Sequence, residues 1–281
     1  MRTFGIKSTN PVAVGDEVEY EPEGENGVIK DILPRNNYII RRSVNLSKRS
    51  HILAANIDHV YLLVTVASPQ TQTGFIDRFL VTAEAYHIPV TILFNKVDLY
   101  NQEEMEEMEY LKFVYESIGY RCLTICAKRP ESVDFLKEEI KGKKVMFGGH
   151  SGVGKSTLAN ALDPNLELKT AEISQTHSSG QHTTTFAEMH PLQSGGYIID
   201  TPGIRAFGLI DFDKKELSHY FLEMRERLSD CKFNDCQHLD EPHCAIKEAL
   251  ENGEIDLTRY LNYVQIMETD EDDSYRRDIY K

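Results

Sequence analysis

Eight residues in the middle of the chain have the spacing of a phosphate-binding loop. The segment Gly149-His-Ser-Gly-Val-Gly-Lys-Ser156 fits the pattern G-x-x-x-x-G-K-[ST], in which glycines let successive backbone N–H groups point at phosphate oxygens. The alternative is a glycine-rich turn that binds nothing, but the strand-like run KVMF precedes the loop and the helix-like run STLANAL follows Lys155. We therefore expect nucleotide phosphates to bind at Gly149, His150, Ser151, Gly152, Val153, Gly154, Lys155, Ser156 and Thr157. Lys155 would reach the β- and γ-phosphates, and the Ser156 hydroxyl would bind Mg²⁺.

A second motif, upstream of this loop, predicts recognition of guanine. Asn95-Lys96-Val97-Asp98 has the arrangement N-K-x-D and follows the apolar run VTILF. The Asp98 carboxylate can accept hydrogen bonds from N1–H and the exocyclic N2–H₂ of guanine, whereas adenine would leave it unpaired at a cost. Asn95 would brace the loop, and the aliphatic stem of Lys96 would lie along the base. The pair of motifs predicts GTP, and Asp98 opposes the alternative of an ATPase or small-molecule kinase.

A third segment fits the second base-contacting loop of guanine nucleotide sites. Cys126-Ala127-Lys128 follows the apolar run RCLTIC, and a backbone N–H of this loop would donate to guanine O6. We therefore add Ala127 and Lys128 to the expected GTP-binding residues.

Two polar segments after the phosphate loop have the character of nucleotide-sensing switches. Asp200-Thr-Pro-Gly203 fits D-x-x-G, so that Asp200 would hold Mg²⁺ through water and the Gly203 N–H would contact the γ-phosphate. The stretch before it, residues 174–185, contains a run of threonines. Thr184, with Thr183 as second choice, would bind Mg²⁺. The alternative is a mobile Ser/Thr-rich surface loop, and both interpretations can hold because switch loops order and disorder with the nucleotide.

The residue that would orient the attacking water is not where related GTPases carry it. In Ras-like enzymes a glutamine follows D-x-x-G, but this chain has Ile204 there, and its side chain cannot hydrogen-bond to water. His182 is the best candidate within the chain, although it is equally compatible with a surface histidine. The expected catalytic residues are therefore Lys155, Thr184 and His182, and hydrolysis is expected to be slow without a partner.

Near the C-terminus, three cysteines and a histidine have the spacing of a metal site. Cys231, Cys236, His238 and Cys244 fall within 14 residues, and a closed Cys₃His set is typical of one structural Zn²⁺. His243 competes with His238 by proximity, and the alternative to a metal site is reduced cysteines on a surface loop. Cys122 lies in an apolar run and is interpreted as core packing.

The elements that must position these motifs alternate between strand and helix. Apolar runs such as HVYLLVTVA alternate with helix-like stretches at residues 103–118, 132–140 and 155–162. This alternation predicts an α/β domain with a mainly parallel sheet, whose ligands bind at the carboxyl ends of the strands. Residues 11–52 read as short strands, which favours a small barrel such as an OB-fold or a β-rich cap without a ligand. From about residue 212 the chain reads as helical.

Composition limits the possible classes of protein. The 281 residues suit two or three small domains. No apolar run approaches the roughly 20 residues that cross a bilayer, and the N-terminus lacks an apolar signal segment. The number of cysteines, five, is odd, which argues against a full disulfide framework. We expect a cytoplasmic protein with no membrane contact.

The net charge of −14 argues against nucleic-acid binding by the whole surface. One basic run at residues 35–49, with Arg41, Arg42, Lys48 and Arg49, offers a possible RNA contact. Its alternative is a solvated strand edge.

The motif order and several local sequences resemble the ribosome small-subunit-dependent GTPase family called RsgA or YjeQ. The guanine motif precedes the phosphate loop, so the G domain is circularly permuted. The other marks are STNPVAVGD, LPRNNYIIRR, QHTTT, DTPGIRAFG and the cysteine cluster. The resemblance covers nearly the whole chain and implies an OB-fold at residues 1–52, a permuted GTPase at 53–211 and a helical zinc domain at 212–281.

The resemblance also implies a function. Members of this family mature the small (30S) ribosomal subunit, contact its 16S rRNA and hydrolyse GTP to GDP and phosphate when stimulated by it. We expect a monomer with Mg²⁺–GTP and one zinc ion per chain. The alternative is a nucleotide-gated rRNA-binding adaptor with little intrinsic hydrolysis.

Three departures from the family pattern matter. Many relatives begin some tens of residues earlier, so the first strand of the barrel is expected to be absent here. Some members carry a histidine shortly after D-x-x-G where this chain has Asp211, and that role cannot be transferred. Most relatives also have Ser at the position of Cys126.

Overall fold

A computed structural model describes residues 12–24, 26–42, 50–168, 187–200 and 214–268. Its centre is a six-stranded sheet formed by β5 (His59–Val64), β6 (Val90–Phe94), β7 (Arg121–Thr124), β8 (Lys144–Gly148), β9 (Glu188–Pro191) and β10 (Tyr197–Asp200). The strand order is β7-β6-β5-β8-β10-β9, and every pairing is parallel except that of β9 with β10. The expectation of an α/β fold with a mainly parallel sheet is confirmed.

Helices cover both faces of the sheet. In β5 the side chains of Val60, Leu62 and Val64 enter one core, and Tyr61 and Leu63 enter the other, because successive residues of a strand point to opposite faces. The first core is covered by α1 (Thr73–Ala85) and α2 (Gln102–Ser117), and the second by α3 (Asp134–Glu139) and α4 (Lys155–Leu162).

The longest of these helices, α2, shows how the sequence sets a boundary. Its first turn is closed by a capping box, in which the Asn101 side chain accepts from the Glu104 N–H and the Glu104 carboxylate accepts from the Asn101 N–H. Such reciprocal pairs satisfy backbone donors that the helix itself cannot. The helix therefore begins one residue before the start expected from the sequence.

The N-terminal segment forms two antiparallel strand pairs. β1 (Val18–Glu23) pairs with β2 (Asn26–Ile32), and β3 (Tyr38–Arg42) pairs with β4 (Ser50–Ala55). A parallel bridge between Val14 and Ala54 connects the start of the described chain to β4. The expected strands are present, and closure into a barrel is not seen among the described residues. The predicted domain boundary after residue 52 falls inside β4.

The C-terminal segment is helical around a core of its own. α5 (Leu222–Arg225), α6 (Ala245–Glu251) and α7 (Leu257–Glu268) surround buried apolar side chains and two of the cysteines. Val81 of α1 belongs to the same cluster, so this segment packs directly on the α/β domain. Among the described residues, no helix is both long and apolar enough to cross a bilayer.

Candidate nucleotide and metal sites

Four loops meet at the carboxyl edge of the parallel strands. They follow β5, β6, β7 and β8, and the strand order reverses between β5 and β8. In open α/β sheets this point forms a crevice where ligands bind. The predicted phosphate loop follows β8, the N-K-x-D motif follows β6, and Cys126 lies just beyond β7. The topology thus brings together three motifs that are well separated in the chain, at residues 95–98, 126–128 and 149–156.

The backbone of the phosphate loop requires its glycines. Gly149, Gly152 and Gly154 have φ of 130°, 84° and 105°, values that favour residues without a Cβ atom. A Cβ at Gly149 would lie 2.6 Å from the carbonyl oxygen of Leu63, and one at Gly154 would collide with the Asn95 amide. The loop is therefore folded tightly against β5 and the N-K-x-D loop, and Gly154 begins α4.

Lys155 is held over the loop by backbone carbonyls. Its Nζ donates to the carbonyl oxygens of Gly149 at 2.8 Å and His150 at 2.6 Å. The imidazole of His150 lies against Phe75 in the first turn of α1, with ring centroids 3.9 Å apart. The phosphate loop is thus attached to α1, which the sequence pattern did not indicate.

The side chain of Asn95 joins the three predicted nucleotide loops. It is fully buried, its Nδ2 donates to the Val153 carbonyl at 2.8 Å, and its Oδ1 accepts from the Ala127 N–H at 2.9 Å. Both halves of the amide are therefore used within the protein. Asn95 occupies the bracing position expected of it, and Ala127 fixes the second base loop. A contact between this loop and guanine O6 stays a prediction.

Asp98 and Cys126 form a contact across the two base loops. The Asp98 side chain is exposed, and its Oδ1 accepts from the Cys126 thiol at 3.0 Å. Burial and the bond to Asp98 raise the pKa of the Cys126 thiol, so the sulfur keeps its proton and acts as a donor at neutral pH. The Cys126 N–H in turn donates to the Ser132 hydroxyl oxygen at 2.8 Å. One oxygen of the carboxylate is thereby oriented.

The loop after β5 contributes residues that the sequence analysis missed. The Nζ of Lys96 donates to the Ser68 carbonyl at 2.5 Å, and a Cβ at Gly152 would lie 3.5 Å from the ring of Pro69. Burial, and then the charge of Lys128, lower the pKa of Lys96. The sequence holds one indication of these residues. Their loop follows an apolar strand, as the other motifs do, and therefore lies at the same edge of the sheet.

Several predicted residues lie outside the described part of the chain. They are His182, Thr183, Thr184, Gly203, Ile204 and Asp211, together with the side chain of Asp200. The backbone of Asp200 is described and ends β10, where Ile199 is paired with Met146 of β8. Asp200 therefore begins its loop at the same edge as the phosphate loop.

The four predicted metal ligands come together in the C-terminal segment. The ligand atoms of Cys231, Cys236, His238 and Cys244 all lie within 4.8 Å of one another. The Nδ1 of His238 is 3.6 Å from the Cys231 sulfur and 3.4 Å from the Cys244 sulfur. Tetrahedral Zn²⁺ with its usual bond lengths needs ligand separations of roughly 3.5–3.8 Å, so the donor set fits zinc. His243 is exposed and is not in this group.

The loop that carries His238 is held by its neighbours. The hydroxyls of Tyr260 and Tyr263 on α7 donate to the carbonyls of His238 and Gln237 at 2.8 and 2.7 Å. The Glu241 carboxylate accepts from the N–H groups of Gln237 and Leu239. Burial raises the pKa of the Cys236 thiol to about 12, so thiolate ligation there requires a cation that binds sulfur strongly.

A buried charge cluster joins the C-terminal segment to α1. Arg259 on α7 donates two hydrogen bonds to Glu223 of α5, at 2.8 and 2.9 Å, and one to Asp77 of α1 at 2.6 Å. Asp77 also accepts from Asn262 and from the Tyr115 hydroxyl. Burial raises the pKa of Asp77, and the charge of Arg259 opposes this effect. Sequence reasoning missed the cluster because its hydrogen-bonded partners are 36 to 185 residues apart in the chain.

The basic run at residues 35–49 is only partly available for an outside partner. The Arg35 guanidinium is 13% exposed and pairs with Asp16 at 2.6 Å. Arg35 is therefore paired within the N-terminal segment, and an RNA contact of the basic run stays a prediction. The side chains of Arg41 and Arg42, and all of Lys48 and Arg49, lie outside the described residues.

The family model and the named relatives that match this chain point to the same family. A family model described as RsgA GTPase matches residues 32–210. A protein of Christiangramia forsetii named small ribosomal subunit biogenesis GTPase RsgA is 57% identical, with 100% of this chain and 90% of the relative covered. One of the same name from Flavobacterium johnsoniae is 54% identical, with 99% and 87% covered.

Two solved structures share the fold. The crystal structure of YjeQ from Thermotoga maritima superposes with a TM-score of 0.75 at 39% identity, covering 91% of this chain and 83% of that one. YloQ, described as a circularly permuted GTPase, has a TM-score of 0.71 at 32% identity, with 95% and 84% covered. The permuted motif order of the sequence agrees with the description of YloQ as circularly permuted.

Proposed function

Since the chain belongs to the RsgA GTPase family and is a GTP-hydrolysing enzyme of ribosome biogenesis, we propose that it acts on the small (30S) ribosomal subunit. It hydrolyses GTP to GDP and phosphate there during late maturation, and the subunit stimulates the reaction. The observation that carries the nucleotide site is the position of Asn95, which joins the loops predicted to bind base and phosphate. The partner is proposed from the names of the relatives.

Base selection rests on Asp98. Its carboxylate is exposed at the mouth of the crevice, and Cys126 orients one of its oxygens. Guanine offers two donors to this carboxylate, and a base without them leaves a charged acceptor unpaired. Lys96 and Lys128 are proposed to flank the base, and Ala127 to position the loop that meets it.

Phosphate binding and catalysis rest on the loop after β8. Its N–H groups and the N-terminus of α4 favour an anion, and Lys155 neutralises the charge that grows on the transferred phosphoryl group. Ser156, Thr184 or Thr183, and Asp200 would hold the Mg²⁺ that neutralises phosphate charge. His182 is proposed to orient the attacking water, and Gly203 to contact the γ-phosphate.

The metal site is proposed to be structural. Cys231, Cys236, His238 and Cys244 would hold one Zn²⁺, and a closed set of four protein ligands leaves no position for a substrate. The bound ion would stabilise the loop that carries its four ligands.

The whole molecule is proposed to be a cytoplasmic monomer of three domains. We place the first boundary after β4 at residue 55 instead of 52, because the strand continues to Ala55, and keep the second at 211/212. The N-terminal domain would contact 16S rRNA through Arg41, Arg42, Lys48 and Arg49, with Arg35 excluded.

GTP turnover with and without purified small ribosomal subunits tests this function. We expect slow release of phosphate by the protein alone and an increase of at least about tenfold with subunits, because the protein lacks a glutamine after D-x-x-G. Lys155→Ala should abolish the stimulated rate, and heat-treated subunits should not stimulate. Tight GTP-dependent binding to subunits without any stimulated turnover would instead establish the adaptor function.

A further inference from the structure

An apolar surface with an acidic border lies across α2 and α7, on the side of both helices that faces solvent. Phe113 and Tyr110 of α2 are 69% and 50% exposed, and Leu257 and Leu261 of α7 are 58% and 55% exposed. Single exposed apolar side chains are ordinary, but a group of large ones indicates a contact site. We name these four residues the α2–α7 surface.

The two helices are fixed relative to each other at this surface. The Tyr110 hydroxyl donates to the Asp256 carboxylate, which directly precedes α7, at 2.5 Å. Beneath it, the Tyr115 ring lies against Arg259, with the guanidinium 5.7 Å from the ring centroid. The contact between Tyr110 and Asp256 therefore fixes α2 against the start of α7 before any partner binds, which lowers the entropic cost of binding.

The border of the surface is acidic. Glu106 and Glu109 are exposed on α2, at helical spacings that put them on the face of Tyr110 and Phe113, and Asp256 adds a third carboxylate. Helix α2 also carries one lysine, Lys112, three residues after Glu109. Its charge opposes the effect of burial on the pKa of Cys122 in β7. The surface thus combines apolar contact with negative charge.

We propose that the α2–α7 surface binds a basic protein segment that carries apolar side chains, such as a Lys/Arg-rich tail of a small-subunit protein. The source of the segment rests on the proposed function, whereas its chemistry follows from charge complementarity. RNA fits poorly because its phosphates would meet carboxylates, and a second copy of the chain would place like charges together. The chain's own residues 269–281 fit poorly too, with five acidic and three basic side chains.

Charge reversal tests the proposal, because a basic protein segment and RNA would change the binding affinity in opposite directions. The variant Glu106→Lys with Glu109→Lys should bind purified small subunits at least about tenfold more weakly at low salt. Its matched control is Glu131→Lys with Glu138→Lys, two exposed residues near α3 on the other face of the sheet, which should bind like the original protein. Stronger binding by the first variant would show that the surface meets RNA, and equal binding would show that it meets nothing on the subunit; either overturns the proposal.

A second pair of measurements separates this proposal from the function on which it rests. Phe113→Ala with Leu257→Ala should weaken subunit binding while leaving GTP turnover without subunits unchanged. If the original protein does not bind subunits at all, the proposed function fails. Binding of a labelled peptide of alternating lysine and leucine then tests the α2–α7 surface by itself. Failure of that peptide to bind, or equal binding by the Glu106→Lys, Glu109→Lys variant, overturns the proposal.

Discussion

At the scale of single residues, the proposed base site is organised around one carboxylate and one thiol. Asp98 projects into solvent, yet its Oδ1 is held at 3.0 Å by Cys126, whose proton is retained because burial raises the pKa of the thiol. An oriented acceptor loses less entropy when it binds a ligand than a freely rotating one does. In the proposed base site, the other oxygen and the remaining lone pairs would accept from guanine.

The first prediction concerns the identity of the base. Asp98→Asn should lower GTP affinity at least about a hundredfold, because two charge-assisted hydrogen bonds at ~1.5 kcal/mol or more each are lost. The same variant should gain affinity for xanthosine triphosphate, whose base presents a carbonyl where guanine has an amino group. Calorimetric titration with both nucleotides measures this, and an unchanged preference for GTP would remove Asp98 from the base site.

The second prediction concerns the thiol. Cys126→Ala removes the donor to Asp98 and should weaken GTP binding about fivefold, as expected for a hydrogen bond of ~1 kcal/mol. Cys126→Ser keeps a donor and should bind within about twofold of the original protein. Equal affinities for the Ala and Ser variants would mean that the contact plays no part in base recognition.

The role of a residue could be assigned from the sequence where that role depends only on its neighbours in the chain. The phosphate loop and N-K-x-D are recognisable because their chemistry is done by a few consecutive residues. The partners of Asn95 could not be read in the same way, since Val153 and Ala127 are 58 and 32 residues away. Ser68 and Phe75 have ordinary local sequences, and only the folded sheet edge reveals their position beside the motifs.

At the scale of elements, α1 is the junction between the α/β domain and the C-terminal segment. Phe75 in its first turn lies against His150 of the phosphate loop, and Asp77 pairs with Arg259 of α7. Both partners of Arg259 are carboxylates that are almost fully buried. Removing the cation leaves two buried carboxylates without a counter-charge, which is far more costly than losing a surface ion pair.

The third prediction follows from this difference. Arg259→Met should lower the free energy of unfolding by about 3–5 kcal/mol, the usual cost of breaking a buried ion pair. Its matched control is Arg225→Met, since Arg225 pairs with Glu84 of α1 across the same contact at 3.3 Å but is half exposed. That control should cost less than about 1 kcal/mol. Urea unfolding followed by circular dichroism gives both values, and equal losses would contradict the structure of the cluster.

The elements themselves were predictable where their pattern is strong. The apolar runs of β5 to β8 and the helical spacing of α2 are set by local sequence and burial, so their expected positions agree closely with the structure. The short edge strand β9 has no clear pattern, because its four residues are a glutamate, a methionine, a histidine and a proline. Its position depends on pairing with β10, which no local sequence specifies.

At the scale of the whole molecule, the permuted order puts the C-terminal segment directly after the D-x-x-G motif, while packing joins it to α1. The sequence showed the first connection, and only the structure shows the second. Tyr260 and Tyr263 hold the loop of His238, and Arg259 on the same helix holds Asp77. The metal site is therefore linked through α7 to the helix that supports the phosphate loop.

The last prediction tests whether this link is mechanical. Removal of zinc with a chelator, or Cys236→Ser, should reduce bound zinc from about one per chain and release the loop of His238. Since α7 is then held less firmly, α1 should lose amide protection as well, because local openings spread through packed neighbours. Hydrogen exchange should increase at least about tenfold in Thr73–Ala85, whereas the central strand Val90–Phe94 should exchange as slowly as before. If α1 keeps its protection while zinc is lost, the C-terminal segment opens independently, and any coupling to the nucleotide must run through the D-x-x-G connection alone.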